Sequence, residues 1–382
     1  MHAEPETSFR RLSWTAAAIW MGADFFGLMR LLIRNRFDVH PTCVPGCLFD
    51  LVCGLVNTGF SGLQRMTIQR RIDHVELDDR PVFVIGHWRT GTTLLHELLA
   101  LDPRHRCPTT FECFLPNHFL LTEKLLRSWT GFVLPRNRPS DNMEMGWERP
   151  QEDEFAICNM GIPSPYLTIA FPNKTPQFQE YYELEEIEEA QRLRWKRAFV
   201  GFLKQLTWKR PGRLVLKSPT HTFRLPLLKQ MFPKAGFLHI VRNPYAVFPS
   251  TLRLWKSLYA AHGYQKPTYE GLDEQVFETF NRMHTRLEAT RGLIDPSRFY
   301  ELRYEDLVRD PVGQMRAVYQ RLSLGDFAAV EPVVQAYATS HAAYQTNRYE
   351  LTPELRREIA RRWKPYIEQY GYEAEATVPG EQ

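Results

Sequence analysis

The residues whose types and spacing could do chemistry are concentrated in Pro81–Ala100, PVFVIGHWRTGTTLLHELLA. Val82–Ile85 is a short apolar, β-branched run that predicts a buried parallel strand. Gly86–Gly91 predicts a tight loop. Thr92–Ala100 predicts a helix with Leu94, Leu95, Leu98 and Leu99 on one side. A strand, a glycine-bounded loop and a helix start aim backbone N–H groups and the positive helix end at one point, which suits an anion and most often a phosphate. The spacing from Gly86 to Gly91 has the frame of the nucleotide loop GxxxxGK[ST], but Thr92 stands where that pattern has lysine, and the cation lies inside the loop as Arg89. A P-loop kinase or ATPase uses the lysine on the β- and γ-phosphates. Its absence disfavours ATP hydrolysis. Arg89, Thr90, Thr92 and Thr93 still equip the loop to bind a phosphate.

The elements that must position this loop recur downstream. Arg213–Lys217, RLVLK, is a second strand running into SPTH; Phe237–Val241, FLHIV, is a third and ends at Arg242; Phe299–Arg303 is a fourth and ends at Tyr304. Leu225–Met231 reads as helical, and Asp310 caps a helix whose first residue is Pro311. Across 177–208, Phe178, Tyr181, Leu184, Ile187, Leu193, Phe199, Phe202, Leu203 and Leu206 predict a long helix or a pair. Thr352, Pro353 and an apolar stripe through Trp363 to Tyr370 predict a final helix stopped by Gly371, with a solvated basic face. The alternation implies an α/β fold: a P-loop-like, doubly wound, mostly parallel sheet flanked by helices. Ligands of such sheets sit at the carboxyl ends of the strands. Four strand ends bring Arg89, Lys217, Arg242 and Tyr304 to one edge, which argues for an anionic nucleotide.

At 382 residues the chain can bury a large core, as one large domain or two. A net charge of +4 with 24% charged residues is compatible with an anionic ligand and too weak to argue for nucleic acid. No CxxC pair and no zinc-type Cys/His spacing occurs, so no metal site is expected, and the six cysteines read as reduced thiols of a cytoplasmic protein. Residues 1–75 read as an amphipathic helical extension to a main domain over 76–382, which carries a loop-rich insertion near 130–176. Ser8–Phe37 is apolar but interrupted by Asp24, short of the ~20 apolar residues of a membrane span. Leu48, Leu51, Val52, Leu55, Val56, Phe60 and Leu63 make a second amphipathic run. Two readings stay open: packing of these helices on the main domain, or peripheral contact with a membrane or a greasy acceptor site. Within the insertion, Glu148, Glu152, Asp153 and Glu154 read as a solvated face or as salt-bridge partners before they read as chemistry.

GHWRTGTTLL and FLHIVRNPYAVFPS together resemble the sulfotransferases that use 3′-phosphoadenosine 5′-phosphosulfate (PAPS). The chain is most similar to the broad bacterial and Golgi-type group that includes the tyrosylprotein sulfotransferases, from about Pro81 to Glu350. The resemblance implies that Arg89, Thr90, Gly91, Thr92 and Thr93 hold the 5′-phosphosulfate and that Arg242 and Ser250 hold the 3′-phosphate. LRYEDLVRDP puts Tyr304 against the nucleotide, and AYQTNRYEL offers Asn347 and Arg348 from a late loop closing over it. LKSPTH puts Lys217 beside the transferred group, and the family's basic glutamate is matched nearest by Glu112. The implied reaction is in-line sulfuryl transfer to a hydroxyl (or amine) acceptor, a carbohydrate, lipid or other small molecule, with adenosine 3′,5′-bisphosphate as product and no metal.

For the base, Glu112 is one helix and one turn beyond the loop, and Phe111, Phe114 and Leu115 are expected to desolvate it and raise its pKa. His221, four residues past Lys217, and Glu152 are the runners-up. The competing readings are a P-loop-type nucleotide kinase, which wants the missing lysine; a non-catalytic PAPS-binding module, which would keep Arg242 and Ser250 but tolerate loss of Glu112 and Lys217; and a membrane-anchored scaffold, which would depend on residues 9–63 and ignore the sheet edge.

Overall fold

The computed structural model describes residues 19–130, 146–341 and 349–372. Five strands form one sheet: β1 (Val82–Ile85), β2 (His105–Arg106), β3 (Arg213–Lys217), β4 (Gly236–Val241) and β5 (Phe299–Arg303), in the order β2-β3-β1-β4-β5. Every pairing is parallel; Val82 faces both Val215 on β3 and Gly236 on β4. The helices are α1 (Phe25–Arg34), α2 (Val44–Asp73), α3 (Thr92–Ala100), α4 (Thr110–Phe114), α5 (Phe119–Thr130), α6 (Asp153–Asn159), α7 (Glu189–Lys209) and α8 (Leu225–Met231). They continue with α9 (Pro244–His262), α10 (Leu272–Arg291), α11 (Tyr304–Arg309), α12 (Pro311–Arg321), α13 (Glu331–Ser340), α14 (Pro353–Arg362) and α15 (Lys364–Tyr370).

Strand side chains alternate between faces, and both faces here are covered. Val82 and Val84 pack with Leu95, Leu98 and Leu99 of α3 and with Met315 and Val318 of α12. Phe83 and Ile85 join Phe199, Phe202 and Leu206 of α7 and the helices that follow β3 and β4. Burial on both sides explains why these strands read as continuous apolar runs.

Two expectations need correction. The final helix is broken into α14 and α15, because Pro365 cannot donate within a helix interior and instead opens the second one. Helical structure in 177–208 begins only at Glu189; residues 179–181 form a short 3₁₀ turn after Phe178 in the left-handed region. Asp24, which interrupts the apolar run, also opens a helix: it is the N-cap of α1, its Oδ1 accepting from the Gly27 N–H at 2.9 Å.

The second N-terminal helix packs on the rest of the protein with the face opposite to the one its pattern suggested. Inward-facing α2 residues are Cys47, Asp50, Gly54, Asn57, Ser61 and Gln64, while Leu48, Val52, Leu55, Val56 and Leu63 face outward. Hydrogen bonds hold the inner face alongside the packing of Cys47 and Leu51: Asp50 accepts from the Tyr264 hydroxyl at 2.9 Å, and Gln64 donates to Gln205 at 2.9 Å.

Candidate functional site

Two glycines let the β1–α3 loop turn tightly against its neighbours. Gly86 has φ +143°, and a Cβ there would lie 2.7 Å from the carbonyl oxygen of Ile240 on β4. Gly91 has φ +103°, and a Cβ would strike the Tyr304 ring at 2.3 Å. Gly91 is also the N-cap of α3 and has no side chain to cap it, so the first-turn N–H groups of Thr92 and Thr93 keep the positive helix end open to an anion. Thr90 folds back through Oγ1 to the His87 carbonyl at 2.7 Å.

Arg89 adopts φ +70°, unusual for a residue with a side chain. Two contacts hold it. Its Nε donates to Ser250 Oγ on α9 at 2.8 Å, and its carbonyl accepts from the Arg242 guanidinium at 2.9 Å. That guanidinium lies 4.2 Å over the Tyr304 ring. Arg242 is fixed at the backbone too, since the Tyr366 hydroxyl accepts from its N–H and donates to its carbonyl. Arg89, Arg242, Ser250 and Tyr304, separated widely in sequence, therefore form one group at the ends of β1, β4 and β5.

A second group lies at the end of β3. Lys217 is buried, and its ammonium donates to Glu152 Oε1 at 2.8 Å, with Thr93 Oγ1 3.4 Å away. The other oxygen of Glu152 accepts from the Tyr166 hydroxyl at 2.5 Å, and Tyr166 accepts from the Trp88 indole at 3.0 Å. Burial, with Glu152 beside it, pushes the Tyr166 hydroxyl well above its ordinary range, which keeps it a proton donor. The Glu152 side chain retains 15% exposure. Tyr166 and Trp88 carried no spacing signal in the sequence; only the fold of the loop-rich segment brings them to Glu152.

Of the four carboxylates, Glu148 is exposed, and the other three follow the salt-bridge reading, lying along the end of β3 and the segment after it, each against its own cation or imidazole: Glu152 on Lys217, Asp153 on His221, Glu154 on Arg224. Asp153 accepts from His221 at 2.7 Å and from Ser218 at 3.2 Å. Glu154 takes both arms of Arg224, at 2.6 and 3.1 Å, together with the hydroxyls of Ser164 and Thr220. Burial alone would raise both carboxyls; His221 and Arg224 outweigh it and hold them below the ordinary range. His221 is fully buried, with its ring edge-on to Phe83 at 5.3 Å, and its Nε2 is committed to Asp153.

Glu112 lies elsewhere, in a closed cluster. It is the third residue of α4, and its Oε2 accepts from the Thr109 N–H at 2.8 Å in a capping box. Its Oε1 takes Arg106 from β2 and Lys209 from α7, the latter at 2.7 Å. Burial would raise its pKa, as expected from its aromatic neighbours, but the charges of Arg106 and Lys209 reverse the sign and hold it below the ordinary glutamate range. Glu112 is 0% exposed and has no described contact with Lys217 or the β1–α3 loop. Asn347 and Arg348 lie outside the described residues.

A parallel sheet with an open, lysine-free anion loop and arginines converging at the next strand end defines a class of group-transfer proteins, and comparison with known proteins identifies it. The profile of the sulfotransferase family matches residues 81–328, and the chain belongs to that family. Among curated proteins it is similar to omega-hydroxy-beta-dihydromenaquinone-9 sulfotransferase Stf3 of Mycobacterium bovis, with 46% identity over 364 residues, covering 95% of this chain and 94% of that protein. The Mycobacterium tuberculosis protein of the same name matches equally. Among solved structures, sulfotransferase STF9 from Mycobacterium avium shares the fold at a TM-score of 0.66 and 21% identity, covering 89% of this chain and 88% of that one. STF1 from Mycobacterium tuberculosis H37Rv does so at 0.60 and 18%, covering 89% and 92%.

Proposed function

We propose that the protein transfers the sulfuryl group of PAPS to the hydroxyl of a lipidic acceptor of the polyprenyl-quinone type. The observation that carries the reading is the Lys217–Glu152 pair, 2.8 Å apart, beside Thr93 on the first turn of the anion-loop helix. Bound PAPS would supply the sulfuryl group and depart as adenosine 3′,5′-bisphosphate. The open start of α3, with Arg89, Thr90, Gly91, Thr92 and Thr93, suits the 5′ side of that nucleotide. Arg242 and Ser250 suit the 3′-phosphate, because both adjoin Arg89, Ser250 through its hydroxyl and Arg242 through the Arg89 carbonyl, with the Tyr304 ring beneath the Arg242 guanidinium.

On this reading Glu152, not Glu112, takes the proton of the acceptor hydroxyl. It is oriented by Lys217 and Tyr166 and keeps part of its side chain open to solvent. Lys217 stabilises charge developing on the leaving phosphate oxygen, a role for which a preorganised donor is typically worth roughly 3–4 kcal/mol. His221 acts as a positioning residue: its bond to Asp153 fixes the segment that presents Lys217 and Glu152. The acceptor class follows the 46%-identical relative, whose name specifies an omega-hydroxylated dihydromenaquinone. On this reading the protein works in the cytoplasm, against a membrane.

The test is incubation of the protein with PAPS and a terminally hydroxylated dihydromenaquinone, with mass spectrometry of the quinone. Appearance of the sulfate ester, in step with adenosine 3′,5′-bisphosphate, is expected. Nucleotide binding without any sulfated product would reduce the protein to a PAPS-binding module, and a phosphorylated product from ATP would make it a kinase.

A further inference from the structure

The long helix α2 is built inside out for a helix of a soluble domain. Such a helix normally buries its apolar stripe and wets its polar one. Here Leu48, Val52, Leu55, Val56, Leu63 and Met66 recur at i, i+4 and i+7 spacing on the outer face, where Val52 is 59% and Met66 87% exposed. The rotation of the helix is not accidental. Asn57 donates to the carbonyls of Met21 at 2.7 Å and Ala23 at 3.1 Å, and its oxygen meets His118 Nε2 at 2.9 Å. Asp50 and Gln64 are tied to Tyr264 and Gln205. At Gly54 a Cβ would come within 3.1 Å of the Phe25 Cα, so the inner side is also sterically fitted to α1. The neighbouring helices add Phe26 and Ile33 on α1 and Leu125 on α5 to the exposed apolar surface. Apolar surface collected in this way marks an interaction site rather than ordinary exposure.

Charge decides what that site meets. Between Phe25 and Asp73 the basic residues are Arg30, Arg34, Arg36, Arg65, Arg70 and Arg71, and the acidic ones are Asp38, Asp50 and Asp73, the last exposed at the end of α2 and accepting from Gln69. Asp50 is buried, and Asp38 is engaged by Lys174 and Gln265. Arg34 and Arg36 at the end of α1, and Arg65, Arg70 and Arg71 at the end of α2, are exposed. An apolar face with unneutralised arginines at its ends suits the headgroup region of an anionic bilayer. It does not suit a two-fold contact between copies, where a self-complementary patch would bring arginines of both chains together. Nor does it suit a span. At 30 residues α2 is long enough, but crossing would strip Asp50, Asn57 and Gln64 from their partners on the folded domain.

We propose that α2 lies in the plane of an anionic membrane, with its Leu48–Met66 face inserted among the acyl chains and its arginines on the lipid headgroups. This surface is distinct from the nucleotide edge, and lipid binding needs neither PAPS nor acceptor, so the inference stands or falls apart from the transfer reading. The full-length protein is tested by flotation with phosphatidylcholine vesicles containing or lacking phosphatidylglycerol. It is expected to float with the phosphatidylglycerol vesicles and to be released by alkaline carbonate. The variant Leu48→Asp/Val52→Asp/Leu55→Asp should bind at least tenfold more weakly, with an unchanged melting temperature, because these side chains leave the core untouched. Arg65→Glu/Arg70→Glu/Arg71→Glu should lose the preference for anionic lipid, at roughly fivefold per arginine. This second variant also keeps the test intact should the first fail to fold. Absence of flotation at every composition, resistance to carbonate, or a wild-type dimer that the aspartate variant turns into a monomer would each overturn the proposal.

Discussion

Two carboxylate clusters, around Glu112 and around Glu152, use the same ingredients and reach opposite ends. Both glutamates face a lysine, at 2.7 Å from Lys209 and 2.8 Å from Lys217. Glu112 adds Arg106 and the Thr109 N–H, is sealed from solvent and is held below the ordinary range by its cations. Glu152 adds only a neutral phenol and remains partly open. A buried ion pair with every lone pair engaged is a structural joint: it has no capacity left for a substrate proton. A carboxylate with one cation, one hydroxyl and a path to solvent can exchange partners during a reaction. The lesson is that proximity in sequence to an anion loop does not select the base; what does is which carboxylate the fold leaves reachable.

The sharpest way to break this contrast is to remove one carboxylate at a time. Glu152→Gln should lower turnover by ~10²–10⁴-fold while adenosine 3′,5′-bisphosphate binding measured by calorimetry stays near wild type. If Glu112→Gln produced that kinetic loss instead, the assignment of roles would be inverted. Glu112→Gln should show its effect in stability: leaving the buried Arg106 without its carboxylate, while Lys209 keeps Glu123, costs about 3–5 kcal/mol in denaturant unfolding. An unfolding curve superimposable on wild type would remove Glu112 as a structural joint.

A third experiment sharpens the boundary between holding nucleotide and doing chemistry. Arg242→Ala should weaken adenosine 3′,5′-bisphosphate binding by about 10–100-fold, the range of a charged hydrogen bond, and leave AMP binding almost unchanged. Equal losses for the two ligands would detach Arg242 from the 3′-phosphate. The smallest effect expected is in pH dependence. The depressed pKa of Glu112 contributes stability that is fully present above the ordinary glutamate value of 4.5 and is lost as pH falls through the lower folded value. Thermal melts of wild type should therefore decline on acidification below that value, and the difference between wild type and Glu112→Gln should shrink over the same interval. A difference that grows towards low pH would contradict the sign.

Legibility followed the range of the interactions. β1, β3, β5 and the helices α3 and α8 were readable to the residue, because short apolar runs and caps are local signals. The convergence at the strand ends was readable as well, since strand ends in a parallel sheet must collect on one side; Arg89, Arg242, Ser250 and Tyr304 are brought together. The strand β2 has only two residues and owes its pairing to β3, so nothing local announces it. The acidic run was legible in composition but not in partner, because Lys217, His221 and Arg224 come from a segment more than sixty residues away. The helical period of α2 was plain. Its orientation was not, because the buried hydrogen bonds of Asp50, Asn57 and Gln64 outweigh the pull of its apolar side.

The central position of β1 has a consequence for how the chain is born. Val82 pairs with Val215 on one side and Gly236 on the other, so the first strand to leave the ribosome must wait for partners from the middle of the chain. Parallel pairing offers no hairpin shortcut, and the closures it requires are slow. The residues of α2 are all translated before those of β1, and its apolar side needs no later segment to exist. During synthesis α2 is therefore complete before any strand of the sheet can find its partner.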